Sequence, residues 1–489
     1  MTQDAAAPLA APLAAPLAAL LDPPCLATLV EAAAGAVPLI CLRPQDLAPW
    51  RETQPAVRAA WVAAAGFTGK AGETCPLPGD GGTRAGVLVG LGDAPDRWAL
   101  AGLPTTLPRA TYALADSPAT QAPGFGEAAA VAWALGAHRF TRYRTREPAA
   151  PPARLAWPAE VDRAVVVRRV TAVTLTRDLV NTPAADMGPA ELAGVARLLA
   201  ERHCGRVLEI VGDALLDENW PAVHAVGRAS ARAPRLLDLR WGEEDHPRVT
   251  LVGKGVVFDS GGLDLKPSAG MQIMKKDMGG AAHALGLAHA VMSARLPVRL
   301  RVLIPAVENA VSGDSFRPLD VLSTRKGLTV EVGNTDTEGR LVLADALAEA
   351  DAEHPALLLD LATLTGAARV ALGPDVPALF SRDDALAFDL LAAGEATGES
   401  LWRLPLHAGY RALLDSPVAD LNSTGSGPHA GAITAALFLA EFVSPDTPWA
   451  HVDLFAWAPK ARPGRPEGAA AQGLDALFTV IERRFARTG

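Results

Sequence analysis

Cysteine is scarce in this sequence, and the few present form no pattern. Cys25, Cys41, Cys75 and Cys204 are scattered, with no CxxC pair among them. Neither a zinc knuckle nor a disulfide framework is indicated, and buried reduced thiols in a cytoplasmic protein are the plain reading. Basic charge is also in short supply. The formal net charge is −9, which argues against nucleic-acid binding, since that usually needs a basic face. Composition alone does not exclude a local basic patch. No uninterrupted apolar run is long enough to span a bilayer. Three catalytic signatures are missing as well. There is no HExxH pair, no GxSxG elbow, and Gly253-Lys254-Gly255 lacks the frame of a phosphate-binding loop.

The N-terminus lacks the marks of a secretory signal. Asp4 is acidic, and Pro8, Pro12 and Pro16 interrupt the Ala/Leu run, so a flexible low-complexity leader is expected over 1–22. What remains is ordinary globular material: 489 residues, 49% hydrophobic and 20% charged. That length exceeds one core and predicts two domains. Pro148, Pro151, Pro152 and Pro158 cluster in a stretch that reads as a linker over 147–162. It separates a smaller α/β domain at 23–146 from a larger one at 163–489.

In the larger domain, helix and strand patterns alternate. Helices are expected over 163–179, 189–203, 280–294 and 341–352. Strands are expected over 207–211, 235–241, 249–258, 298–304 and 356–361. The strands are nearly continuous apolar runs, the mark of a central, mostly parallel sheet flanked by helices. In the smaller domain a strand is expected at 86–91 and a helix near 126–136. In such sheets ligands bind in the loops at the carboxyl ends of strands.

Charged residues collect at those ends. Lys254 sits inside the strand expected over 249–258, and Asp259 closes it. Ser260-Gly261-Gly262 permits a tight turn toward Lys266. Asp277 precedes a helix, and Asn334-Thr335-Asp336-Thr337-Glu338-Gly339-Arg340 follows later. Singly, each carboxylate is a turn former or a helix cap. Together, four carboxylates balance two divalent cations. A neutral, metal-bound Lys254 would leave that cluster at zero, and Lys266 and Arg340 would make the site positive. Such a site suits hydrolysis with a developing oxyanion.

These residues resemble the leucyl aminopeptidase family of dinuclear metallopeptidases. The resemblance rests on the segments 252–255, 258–262, 266–271, 276–280 and 334–340, and on Asp360-Leu361-Ala362-Thr363-Leu364-Thr365-Gly366-Ala367. It extends from about residue 165 to the C-terminus, while the first 150 residues match weakly. It implies a metal-dependent aminopeptidase that releases N-terminal amino acids through a water bridging two metal ions, Zn²⁺ or Mn²⁺. Lys254, Asp259, Asp277 and Glu338 would hold one ion, with Asp259 and Glu338 bridging to a second that Asp336 also holds. Lys266 would polarise the scissile carbonyl, and Arg340 would hold a bicarbonate ion acting as general base. Met274, Asn334, Thr363, Leu364 and Gly366 would contact the peptide substrate. The family further implies a cytoplasmic homohexamer. Lys276 stands where an aromatic or other residue is often seen, and the tail Phe455–Lys460 diverges from the best-known members. His451 and Asp453 read as a structural pair. A two-metal phosphoesterase and a DNA-binding relative are the competing classes. The lysine ligand argues against the first, and the net charge against the second.

Overall fold

The computed structural model describes residues 19–32, 34–146 and 150–486. Most of the expected leader therefore lies outside the described residues. The chain divides into two units. One is Asp22–Thr174 with Lys460–Glu467; the other holds Leu175–Pro459 and the residues from Gly468 on. The division thus falls inside the helix Arg163–Asn181.

The first unit is built on a six-stranded sheet ordered Leu29–Val30, Arg154–Ala156, Thr111–Leu114, Val37–Leu42, Arg84–Gly90, Thr74–Pro78. All pairings are parallel except the last. The helix Phe125–Ala137 is alanine-rich and buried along most of its length, as expected of a helix inside a core. One strand lies within the stretch expected as a linker. Arg154–Ala156 pairs with strands on both sides. The prolines at 151, 152 and 158 flank it, so none removes a ladder hydrogen bond.

The second unit carries a nine-stranded mixed sheet. Its main path runs Trp402–Arg403, Ala378–Ser381, Trp449–Asp453, Leu357–Ala362, Arg248–Gly253, Arg299–Asn309, Arg235–Trp241, Arg206–Val211. The centre is parallel: Leu357–Ala362 lies between Trp449–Asp453 and Arg248–Gly253, and Arg299–Asn309 follows in the same sense. Every residue of Leu357–Ala362 is buried, which explains its unbroken Leu run. Asp360 is its one charge, and it is satisfied by Trp449 Nε1 at 2.7 Å and His451 Nδ1 at 2.5 Å. Val252, Leu303, Leu358 and Ala362 share a core with the helices Glu338–Ala352 and Pro221–Gly227. The helix Gly279–Ser293 also packs on the central strands.

One expected strand is two. Lys254 does not lie within a strand: it is the break between Arg248–Gly253 and Gly255–Asp259. The reason is close packing. A Cβ on Gly253 would fall 2.7 Å from the Cα of Ala281, and one on Gly280 would fall 2.0 Å from the Leu361 carbonyl oxygen. Glycine at both positions lets the helix start against the strand ends. The Lys254 N–H then donates to Leu361 O, and its carbonyl accepts from Ala281 N–H.

Candidate active site

The carboxyl ends of the central strands converge on a cavity of about 420 Å³. Its charged floor comes from separate pieces of chain, each placed by a local device. Lys254 sits at the strand break, with its side chain 3% exposed. Its Nζ lies 2.5 Å from Asp277 Oδ2 and 2.9 Å from Glu338 Oε1, and it donates to the Thr363 carbonyl at 3.3 Å. Asp259 ends Gly255–Asp259. Its Oδ1 accepts from Gly261 N–H at 2.9 Å and from Asn309 Nδ2 at 2.8 Å. Gly261 and Gly262 have φ of 89° and 67°, left-handed values that glycine adopts without strain. The turn they make brings Lys266 back, with Nζ 2.6 Å from Asp259 Oδ2 and also paired with Asp336.

Asp277 lies in the 3-10 turn Met274–Met278, just before the helix Gly279–Ser293, and accepts from Thr363 Oγ1 at 2.8 Å. Asp336 lies in a second 3-10 turn, Thr335–Thr337, and Glu338 opens the helix Glu338–Ala352. That helix begins three residues before the sequence pattern suggested, so Glu338 and Arg340 share its first turn. Arg340 is buried and donates from Nη1 to the Ser423 carbonyl at 2.5 Å. Its Nε is buried without a hydrogen-bond partner.

The electrostatics follow from this crowding. Burial, then the neighbouring Asp259, pushes Glu338 up to about 8 and Asp336 up to about 6. Asp277 moves the other way: burial would raise it, but the Lys254 and Lys276 ammoniums hold it below the usual carboxylate range. Burial would lower Lys254, yet Asp277, Glu338 and Asp259 together hold it well above the ordinary lysine range. Carboxylates alone favour the ammonium form of Lys254, so the neutral amine of the charge accounting belongs to the metal-bound site. Losing that proton requires added positive charge. Burial lowers Lys276 to about 8 and Arg340 to about 10.

The donor set fits divalent cations. One oxygen from each of Asp259, Asp336 and Glu338 lies within 4.8 Å of the others. Glu338 Oε2 is buried with no hydrogen-bond partner. Carboxylates this close, two of them buried and Glu338 with an unpartnered oxygen, are expensive unless cations join them.

The chain's similarities agree with that chemistry. Residues 174–478 match the family model described as "Cytosol aminopeptidase family, catalytic domain". Residues 37–158 match the model for "M17 aminopeptidase, N-terminal domain". The chain belongs to the cytosol aminopeptidase family. A crystal structure of the cytosol aminopeptidase from Coxiella burnetii is 48% identical, with a TM-score of 0.90 over 94% of this chain and 100% of that one. The bottromycin maturation enzyme BotP, solved in complex with Mn, is 36% identical, with a TM-score of 0.83 over 92% of this chain and 100% of BotP. A probable cytosol aminopeptidase from Roseiflexus castenholzii is 45% identical over 315 residues; the match spans 63% of this chain and 64% of that relative.

Within this family fold, the expected residues are placed as follows. Lys254, Asp259, Lys266, Asp277, Asp336, Glu338 and Arg340 all line the one cavity, as do Met274, Thr363, Leu364 and Gly366. Asn334 does not line it. Its Oδ1 accepts from Asp336 N–H at 2.7 Å, capping the turn that holds Asp336. Asp453, read from sequence as structural, does line the cavity. Its Oδ1 accepts from Leu364 N–H and Thr365 N–H at 3.0 and 3.2 Å, and its Oδ2 from Thr365 Oγ1 at 2.6 Å. It therefore fixes the segment that follows Leu357–Ala362. Asn309 also escaped the sequence reading, because nothing in the motif around Asp259 points fifty residues downstream.

Proposed function

We propose that this chain is a metal-dependent aminopeptidase that removes N-terminal residues from peptides. The observation that carries the reading is the Asp259, Asp336 and Glu338 oxygen cluster with Lys266 beside it, on the floor of one cavity. Lys254, Asp259, Asp277, Asp336 and Glu338 would hold two divalent ions, Zn²⁺ or Mn²⁺. When bound, the ions supply Lewis-acid polarisation and a water activated for attack.

The protein's own groups do the rest. Lys266 reaches the cavity floor on a flexible stem and donates to the scissile carbonyl oxygen, offsetting charge as it develops there. Arg340 Nε has no protein partner, so its guanidinium would hold a bicarbonate ion, which when bound would supply general-base chemistry. Thr363, Leu364 and Gly366, fixed by Asp453 and Asp277, lay the peptide along the strand end. Met274 forms a wall for the first side chain. Asn334 acts by shaping the Asp336 turn. The domain plan, with a catalytic part from residue 163, remains part of this reading, as do a cytoplasmic location and a homohexamer. Among the described residues no helix is long and apolar enough to cross a membrane.

The test is hydrolysis of an amino-acyl p-nitroanilide against p-nitrophenyl phosphate, each with Mn²⁺ added. Release of p-nitroaniline is expected. Phosphatase activity alone would sink the reading in favour of a phosphoesterase. Metal analysis should return two ions per chain.

A further inference from the structure

Three of the cavity's cations are engaged: Lys254 and Lys266 with carboxylates, and Arg340 with a carbonyl. Lys276 and Arg369 line the same cavity; Lys276 has only a long ion pair with Asp277, and Arg369 has no such engagement among the described residues. Lys276 is 5% exposed. Among the described residues its ammonium donates no hydrogen bond, and the nearest carboxylate oxygen, Asp277 Oδ1, is 3.8 Å away. A buried ammonium without an acceptor is costly. This one opens onto the space where a ligand would sit.

The two cations flank one ring. Lys276 Nζ is 5.1 Å from the centroid of Phe455, and Arg369 Cζ is 5.0 Å from it. Phe455 is half-buried on the cavity wall, its backbone held by Gln472 Oε1. The ring steadies both cations through its face, but it offers no hydrogen-bond acceptor. Lys276 belongs to the same turn, Met274–Met278, as the wall of the side-chain pocket. An acceptor reaching Lys276 past Met274 and Phe455 is therefore carried by the side chain of the substrate's first residue.

We infer that the pocket takes peptides with an acidic first residue, glutamate or aspartate, whose carboxylate accepts from Lys276 while Arg369 draws it toward the mouth. This rests on the aminopeptidase reading and specifies the substrate class of that same site. Arg369 is exposed, so its contribution is the more salt-sensitive of the two.

The test compares Glu-, Gln- and Leu-p-nitroanilides on the Mn-loaded enzyme, with calorimetric binding of free glutamate and glutamine alongside. Glutamate and glutamine differ in charge at nearly constant shape. Wild type should favour Glu over Gln in kcat/KM by about tenfold, the worth of one hydrogen bond to a charged group. Lys276→Met should bring that ratio to near unity, Lys276→Arg should keep it, and Arg369→Gln should lower it mainly at low salt. The binding ratio should move in parallel. A wild-type ratio at or below unity, or a ratio unchanged in Lys276→Met, overturns the inference. Cleavage of Leu and Gln substrates without the Glu substrate overturns it and leaves the aminopeptidase reading standing. Cleavage of none overturns both.

Discussion

Gly339 lies against the Lys254 side chain so closely that no other residue fits between them. A Cβ at 339 would fall 2.6 Å from Lys254 Cε and 2.7 Å from its Nζ. The helix start that delivers Glu338 and Arg340 thus also leaves the slot that Lys254 fills. Gly339→Ala should move the lysine and spare the fold, because the atom in the way is the far end of a flexible chain. Displacements of about 1 Å at a reacting centre cost about 100-fold in rate, and a loss of that order is expected in kcat. Melting should show a much smaller change. Full activity in Gly339→Ala would remove Lys254 from the site.

Lys266 and Asp277 separate two roles. Lys266 acts on charge that develops during reaction, so Lys266→Ala should lower kcat by about 100- to 1000-fold with metal content near wild type. Asp277 is a proposed ligand, buried beside Lys254. Asp277→Ala should lower both turnover and the number of ions retained after dialysis. Unchanged metal content in Asp277→Ala would show the ligand assignment to be wrong.

Arg340 tests the anion. Its Nε has no protein partner, while Nη1 is anchored on Ser423 O. Removing a proton acceptor from a hydrolytic step costs about 100-fold or more. Arg340→Ala should slow the reaction on that scale, with partial recovery as bicarbonate is titrated in. A rate flat across the bicarbonate series would dismiss the anion cradle.

The sequence made the charged residues legible because they interrupt strand ends and helix starts that are otherwise apolar. Asp259 stands out for the first reason, Asp277, Asp336 and Glu338 because they fall in turns just before apolar helices or at their first residue, and glycines beside Asp259, Asp277 and Glu338 mark where the backbone turns. Their mutual distances were not legible. Lys254 looked like part of a strand, because a Gly-Lys-Gly insert does not reveal that Ala281 and Leu361 come within contact of it. Asp453 and Phe455 are about ninety residues from Thr363, and only the pairing of Trp449–Asp453 with Leu357–Ala362 brings them to the cavity. Asn334 carried the motif's polar signal but spends it on a turn. Arg154–Ala156 was hidden because prolines bracket so short a strand.

His283 gives the fold a dependence on pH that is separate from the metal ligands. It is fully buried in the helix Gly279–Ser293. Its Nε2 accepts from Gln472 N–H at 2.9 Å, so the ring proton sits on Nδ1 and donates to Gly279 O at 2.6 Å. A second proton would set two N–H groups against each other. Burial lowers this imidazole to about 4, against about 6.5 in the unfolded chain. Between those values the unfolded chain binds more protons than the native one, so stability falls as pH falls. The shift corresponds to a loss on the order of 3 kcal/mol, at 1.4 kcal/mol per pK unit. Urea melts of wild type and His283→Gln from pH 7 to pH 4 should show the wild type more stable at pH 7 and its advantage shrinking by that amount. An advantage constant across the range would mean that His283 does not titrate on unfolding.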